Sequence, residues 1–84
     1  MMAINLERAA MKGRLAELKQ EEFRLILRVE GGAKAMRQGL NTTLIDMGDL
    51  EIPQLDEQWD MLKSSWAELA KVRADMNRLH RELT

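Results

Sequence analysis

Residues 55–83 read LDEQWDMLKSSWAELAKVRADMNRLHREL, and this stretch decides the fold. Within it Leu55, Trp59, Leu62, Trp66, Leu69, Arg73, Met76, His80 and Leu83 follow one another at alternating spacings of four and three. That is the heptad pattern of a helix with a coiled-coil-like apolar stripe. All but two of these positions are apolar, and beside the exceptions, Arg73 and His80, the neighbouring Val72 and Leu79 offer apolar alternatives. No Gly or Pro follows Pro53, which itself suits a first helical turn because its missing N–H would have no partner inside the helix. The spacing predicts a helix over about 53–83, roughly 45 Å long at 1.5 Å per residue.

Working backwards, the first half of the chain shows the same alternation at Met11, Leu15, Leu18, Glu22, Leu25, Val29, Gly32 and Met36. Phe23, Ile26 and Ala33 widen this stripe on one side, as in a helix that meets more than one neighbour. The opposite face holds Arg14, Lys19, Gln20, Arg24 and Arg28 with Glu17 and Glu21, a solvated surface of opposite charges three or four residues apart. A helix over about 5–39 follows, with Asn5 as N-cap and with Gly39 and Asn41 as stop signals. Gly31-Gly32 interrupts it, each glycine costing a helix about 1 kcal/mol relative to alanine. The pair marks a hinge or a close approach of another backbone. Because Ala33-Lys34-Ala35-Met36-Arg37-Gln38 is strongly helix-forming, the helix is expected to run through the pair, straight or slightly kinked.

The connector, about 40–52, is acidic. Residues 1–45 carry eight bases and five acids, residues 46–57 five acids and no base, and residues 58–84 five bases and four acids. Thr43 and Asp46 have the spacing of a capping box, and Gly48 follows soon enough to end a single turn. Asp56, Glu57 and Asp60 fall early in the second helix, where the positive end of the helix dipole favours carboxylates.

Composition agrees with an all-α chain. At 84 residues, 45% hydrophobic and 32% charged, with a net charge of −1, it is too apolar for disorder and too charged for a membrane protein. Phe23, Trp59 and Trp66 are its aromatic residues, and leucine far outnumbers Val and Ile, which excludes a β-sandwich or barrel. With no Cys there is neither a disulfide nor a thiolate site, and one histidine, His80, cannot build a multi-histidine metal centre. No apolar run reaches signal-peptide or membrane-spanning length, so a cytoplasmic protein is expected.

Two helices of about 30 residues and a short connector predict an antiparallel hairpin. A lone hairpin would leave much of each broad stripe in water, and small domains have little stability to spare. A homo-oligomer is therefore expected, with a dimeric four-helix bundle favoured. Its interface is predicted at Leu55, Trp59, Leu62, Trp66, Leu69, Met76 and Leu83 of the second helix and at Leu18, Leu25 and Val29 of the first. Trp59 and Trp66 lie one heptad apart and are expected to pack inside the hairpin or the dimer core, each burying on the order of 200 Å². The competing reading makes them an exposed pair that docks a partner.

Catalytic chemistry finds little support. Asp56 and Asp60 share a side of the helix, yet a second half-site for a metal is missing, and His80 between Arg78 and Arg81 has no orienting acid or nucleophile. No cofactor and no metal are expected. The bases Arg8, Lys12, Lys19, Arg24, Arg28, Lys34 and Arg37 are spread around the first helix among acids, which disfavours nucleic-acid binding. The run Leu55-Asp56-Glu57-Gln58, with Leu62 and Ala67-Glu68-Leu69-Ala70-Lys71, resembles the opening helix of the all-helical chorismate mutases. Trp66 stands where that family needs a substrate-binding arginine, so no enzyme is read from it.

A wider resemblance joins Ala35-Met36-Arg37-Gln38-Gly39-Leu40-Asn41, the acidic Gly48-Asp49-Leu50-Glu51-Ile52-Pro53-Gln54-Leu55-Asp56, and the terminal Leu62, Trp66, Leu69, Arg73, Leu79, Glu82 and Leu83. Together these resemble small helical-hairpin proteins of Mu-like phages and prophages. The resemblance implies a long first helix, an acidic connector and a heptad-bearing second helix, with no catalytic residues to carry over. The function expected is that of a non-enzymatic, self-associating structural or protein-interaction module of a phage-derived operon. The alternative is a small regulator or inhibitor that offers its Trp face or acidic connector to a host or phage protein.

Overall fold

The computed structural model describes residues 2–41, 43 and 45–84, with side chains from Leu6 onward. Two helices, α1 (Met2–Gly39) and α2 (Ile52–Leu83), fold back on each other as a hairpin, joined through a single 3₁₀ turn at Met47–Asp49. The described residues contain no strand. The result is a rod of 68 × 16 × 15 Å.

Three local expectations change. Because α1 starts at Met2, Asn5 lies inside the helix and does not cap it. The connector forms no capping box. Asn41 instead folds an Asx turn, its Oδ1 accepting from the Thr43 backbone N–H at 3.1 Å and also from the Thr43 hydroxyl. Asp46 then takes the N-cap position of the 3₁₀ turn without a side-chain hydrogen bond, while the Asp49 N–H donates to the Asp46 carbonyl at 2.9 Å. Leu44 and Thr42 lie outside the described residues. Finally, the first turn of α2 holds no acid. Asp56, Glu57 and Asp60 sit beyond the reach of the helix dipole, which fades within the first turn, so their clustering needs another cause.

α1 runs unbroken through Gly31 and Gly32, and the two glycines do different things. A Cβ on Gly31 would meet nothing within 4 Å, whereas one on Gly32 would sit 3.4 Å from Leu62 Cδ1. Gly39 is closer still, at 2.8 Å from Leu55 Cδ2, and among the described residues no glycine has a positive φ. Gly39 therefore ends α1 with no left-handed cap, and what its missing side chain provides is room for Leu55. Replacing Gly31 by alanine should raise stability by about 0.4–1 kcal/mol and the melting temperature by a few degrees, since the site is open and the backbone already helical. A lower melting temperature by circular dichroism would show that the helix bends at this pair.

The two close approaches set the register. With Gly32 opposite Leu62 and Gly39 opposite Leu55, antiparallel continuation by heptads brings Leu25 to Leu69, Leu18 to Met76 and Met11 to Leu83. Leu15, Leu18, Met76 and Leu79 form one buried cluster at the end of the rod that carries the termini, with Met11, Val72 and Leu83 packed on it. Leu25, near the middle, is the one side chain of the described residues that is completely buried. Glu22, the acid on the α1 stripe, is met across the seam by Arg73, whose Nε donates to Glu22 Oε2 at 3.1 Å.

Towards the connector the seam thins. Leu55 and Leu62 there face glycines, and the half-buried seam positions between the leucines of α2 are Gln58 and Ser65. Large apolar side chains are concentrated between the helices at one end of the rod and are scarce between them at the other.

Candidate interaction surface

A helix seam has two flanks, and here they differ in character. One is charged. Its groove is lined by Arg14, Glu17, Glu21, Glu68, Lys71 and Asp75 together with seam leucines. Along the helices Arg14 pairs with Glu17 at 3.4 Å, Arg78 with Asp75 at 3.6 Å, and Arg24 with Glu21. The Arg24 hydrogen bond holds the Glu21 carboxyl below its ordinary range, helped by the charges of Arg24 and Arg28 and opposed by partial desolvation. Ion pairs this exposed add little to stability, and the flank serves mainly to keep one side of the rod wetted.

The other flank is apolar in the connector half. Trp59 and Trp66 project there with 47% and 64% of their surface exposed. With Val29, Ala33, Leu62 and Lys63 they line an open cleft of about 440 Å³ whose walls are almost wholly apolar. Lys63 sits at its edge, its Nζ 5.7 Å from the Trp59 ring centroid in cation–π geometry. On α1 the same flank carries Ile26, one heptad or two turns before Ala33, and Phe23, largely exposed, lies beyond it.

The ten residues expected to form an oligomer interface are thus divided. Leu18, Leu25, Leu55, Leu69 and Met76 are buried within the hairpin itself, and Val29, Leu62 and Leu83 are half-buried along its seam. Only Trp59 and Trp66 stand outside it, so of the two places expected for them, hairpin core or dimer core, the hairpin core is not where they lie. The cause is a shift of phase by one residue. Between the shared positions 55, 62, 69, 76 and 83, the inward residues of α2 are Gln58, Ser65, Val72 and Leu79 in place of Trp59, Trp66, Arg73 and His80. At the termini end this phase buries Val72 and Leu79 and leaves Arg73 and His80 in water. Heptad continuity then carries the same choice to Gln58 and Ser65, and the tryptophans turn out.

Ala33 is among the residues that widen the α1 stripe, whereas nothing in the heptad pattern read through Trp59 and Trp66 marks Gln58, Ser65 or Lys63. The signal for them was present in Val72 and Leu79, which fix the phase when read as the seam itself and not as its margin. Among the described residues no group of His, Asp or Glu side chains is arranged to hold a metal, and no helix is long and apolar enough to cross a membrane. Compared with known proteins, the chain matches no family model, no curated protein and no solved structure.

Proposed function

We propose that this protein is a non-enzymatic, self-associating helical module, in which two hairpins join Trp face to Trp face as a dimeric four-helix bundle. The observation that supports it most is the placement of Trp59 and Trp66 on one flank of the half whose own seam is thin. Exposed at 47% and 64%, the two indoles offer a partner about half to two thirds of the roughly 150–250 Å² that each can bury, and Ile26 and Phe23 extend the face towards the roughly 800 Å² per partner of a stable association. A second hairpin laid on this flank would add large apolar side chains to the connector half, where the seam sets Leu55 and Leu62 against glycines and alternates them with Gln58 and Ser65. The charged opposite flank would stay in water, which closes the assembly at two copies.

A bundle of this kind offers no catalytic constellation, and its role would be structural or in protein interaction. The phage-derived setting rests on the sequence resemblance alone, as does a cytoplasmic location on composition. Sedimentation equilibrium at micromolar concentration tests the reading directly. A mass twice the 9.7 kDa of the chain is expected, and a strict monomer would overturn it.

A further inference from the structure

Charge is distributed unevenly along the rod, beyond the Arg73–Glu22 pair that bridges the hairpin's own seam. The connector end of the rod, residues 34–60 on both helices and the turn between them, carries six acids against two bases, Lys34 and Arg37. At the opposite end, residues 6–20 and 71–84 carry eight bases against four acids. The α2 dipole favours Glu51 at its N-cap but does not account for Asp56, Glu57 and Asp60, which lie beyond its first turn. The apolar flank runs between these ends. Continued by heptads from Ala33 and Trp66 towards the termini, it carries Lys19 and Lys12 on α1 and Arg73 and His80 on α2.

The Trp cleft is off-centre. Taken at the level of Val29 and Ala33, it lies roughly 12 Å from the middle of the rod on the connector side, at 1.5 Å per residue. Lys19 is about 18 Å from the cleft in one direction, and the connector begins about 12 Å away in the other and reaches to about 20 Å.

We infer that the occupant of the Trp face is a second copy of this chain in antiparallel orientation, related by a two-fold axis through the cleft and perpendicular to the rod. This inference rests on the self-association proposed above and specifies its geometry. Such an axis sets each connector, with Asp46, Asp49 and Glu51, against Lys19 and Arg73 of the other copy, with Lys12 just beyond. The side-by-side parallel arrangement would bring acid-rich end against acid-rich end and base-rich end against base-rich end. Like charges juxtaposed across an interface suppress that arrangement relative to one that sets opposite charges together. The acidic connector thus gains a task that helix capping does not give it. It selects orientation.

The off-centre axis also makes the dimer staggered. Two rods of 68 Å sharing a cleft roughly 12 Å from their midpoints span about 90 Å end to end, whereas a parallel pair spans about 70 Å.

Because the chain has no cysteine, single thiols can be placed without background. A Lys19→Cys protein and an Asp49→Cys protein, mixed and treated with a flexible bis-maleimide, are expected to give the mixed cross-linked dimer. Each alone should give little, and small-angle scattering of the parent should show the longer dimension. Homodimeric cross-links from Lys19→Cys alone, with a dimension near 70 Å, would overturn the antiparallel geometry while leaving self-association intact. A monomeric mass for the parent would instead remove self-association and this inference with it.

Discussion

Leu25→Ala is expected to lose most of its helical signal at temperatures where the parent is fully folded. Leu25 is completely buried at the middle of the seam, and truncating such a leucine costs about 2–5 kcal/mol through lost transfer energy and the cavity left behind. A chain of this size has only about 4–13 kcal/mol of total stability, and each kcal/mol lost lowers the melting temperature by about 4–8 °C. A fall of 10 °C or more is therefore expected by circular dichroism at fixed protein concentration. Leu27→Ala, two residues away and 52% exposed, is the control and should change little. Equal melting temperatures for the two variants would place Leu25 outside the core and refute the register.

The double variant Trp59→Ala/Trp66→Ala should do the opposite, keeping the helices and losing the dimer. Neither indole lies in the hairpin's seam, so the helical signal should persist. In a two-fold assembly every substitution is made twice, and buried tryptophans rank among the residues whose removal weakens an interface by 2 kcal/mol or more. A combined loss of about 4 kcal/mol or more is a weakening of at least about a thousandfold at 1.4 kcal/mol per decade. Sedimentation should then show a monomer at concentrations where the parent is dimeric. If the variant unfolded, the tryptophans would belong to the hairpin's own core. An undiminished dimer would move the interface to another face.

These two variants also mark what the sequence disclosed and what it concealed. The all-helical hairpin was legible because alternation of four and three runs through both halves around Pro53 and the Gly39 region, and little else competes with it. Five of the α2 seam positions, 55, 62, 69, 76 and 83, were legible for the same reason. The positions between them were not, because a heptad stripe can be continued through Trp59 and Trp66 or through Gln58 and Ser65, and burial energy read locally favours the tryptophans. The choice is made some 10 Å or more away, where Val72 and Leu79 compete with Arg73 and His80, and the helix transmits it. Local hydrophobicity thus pointed to the wrong side of the helix for the hairpin's seam. Glu22 shows the converse: a charge on the stripe looked like a flaw, and Arg73, turned outward by the same phase, is its partner.

The large buried side chains gather where the chain ends lie, far from the turn, and this bears on how the hairpin opens and closes. Bringing Leu15 to Leu79 closes a loop roughly four times as long as bringing Gly39 to Leu55, yet loop entropy grows so slowly that the difference is only about 1.2 kcal/mol. Burying a single leucine returns about 1.5–3 kcal/mol. The remote end can therefore hold together while the glycine-lined end near the turn breathes, so the least secure part of this hairpin is the part that covalent connection makes easiest to form.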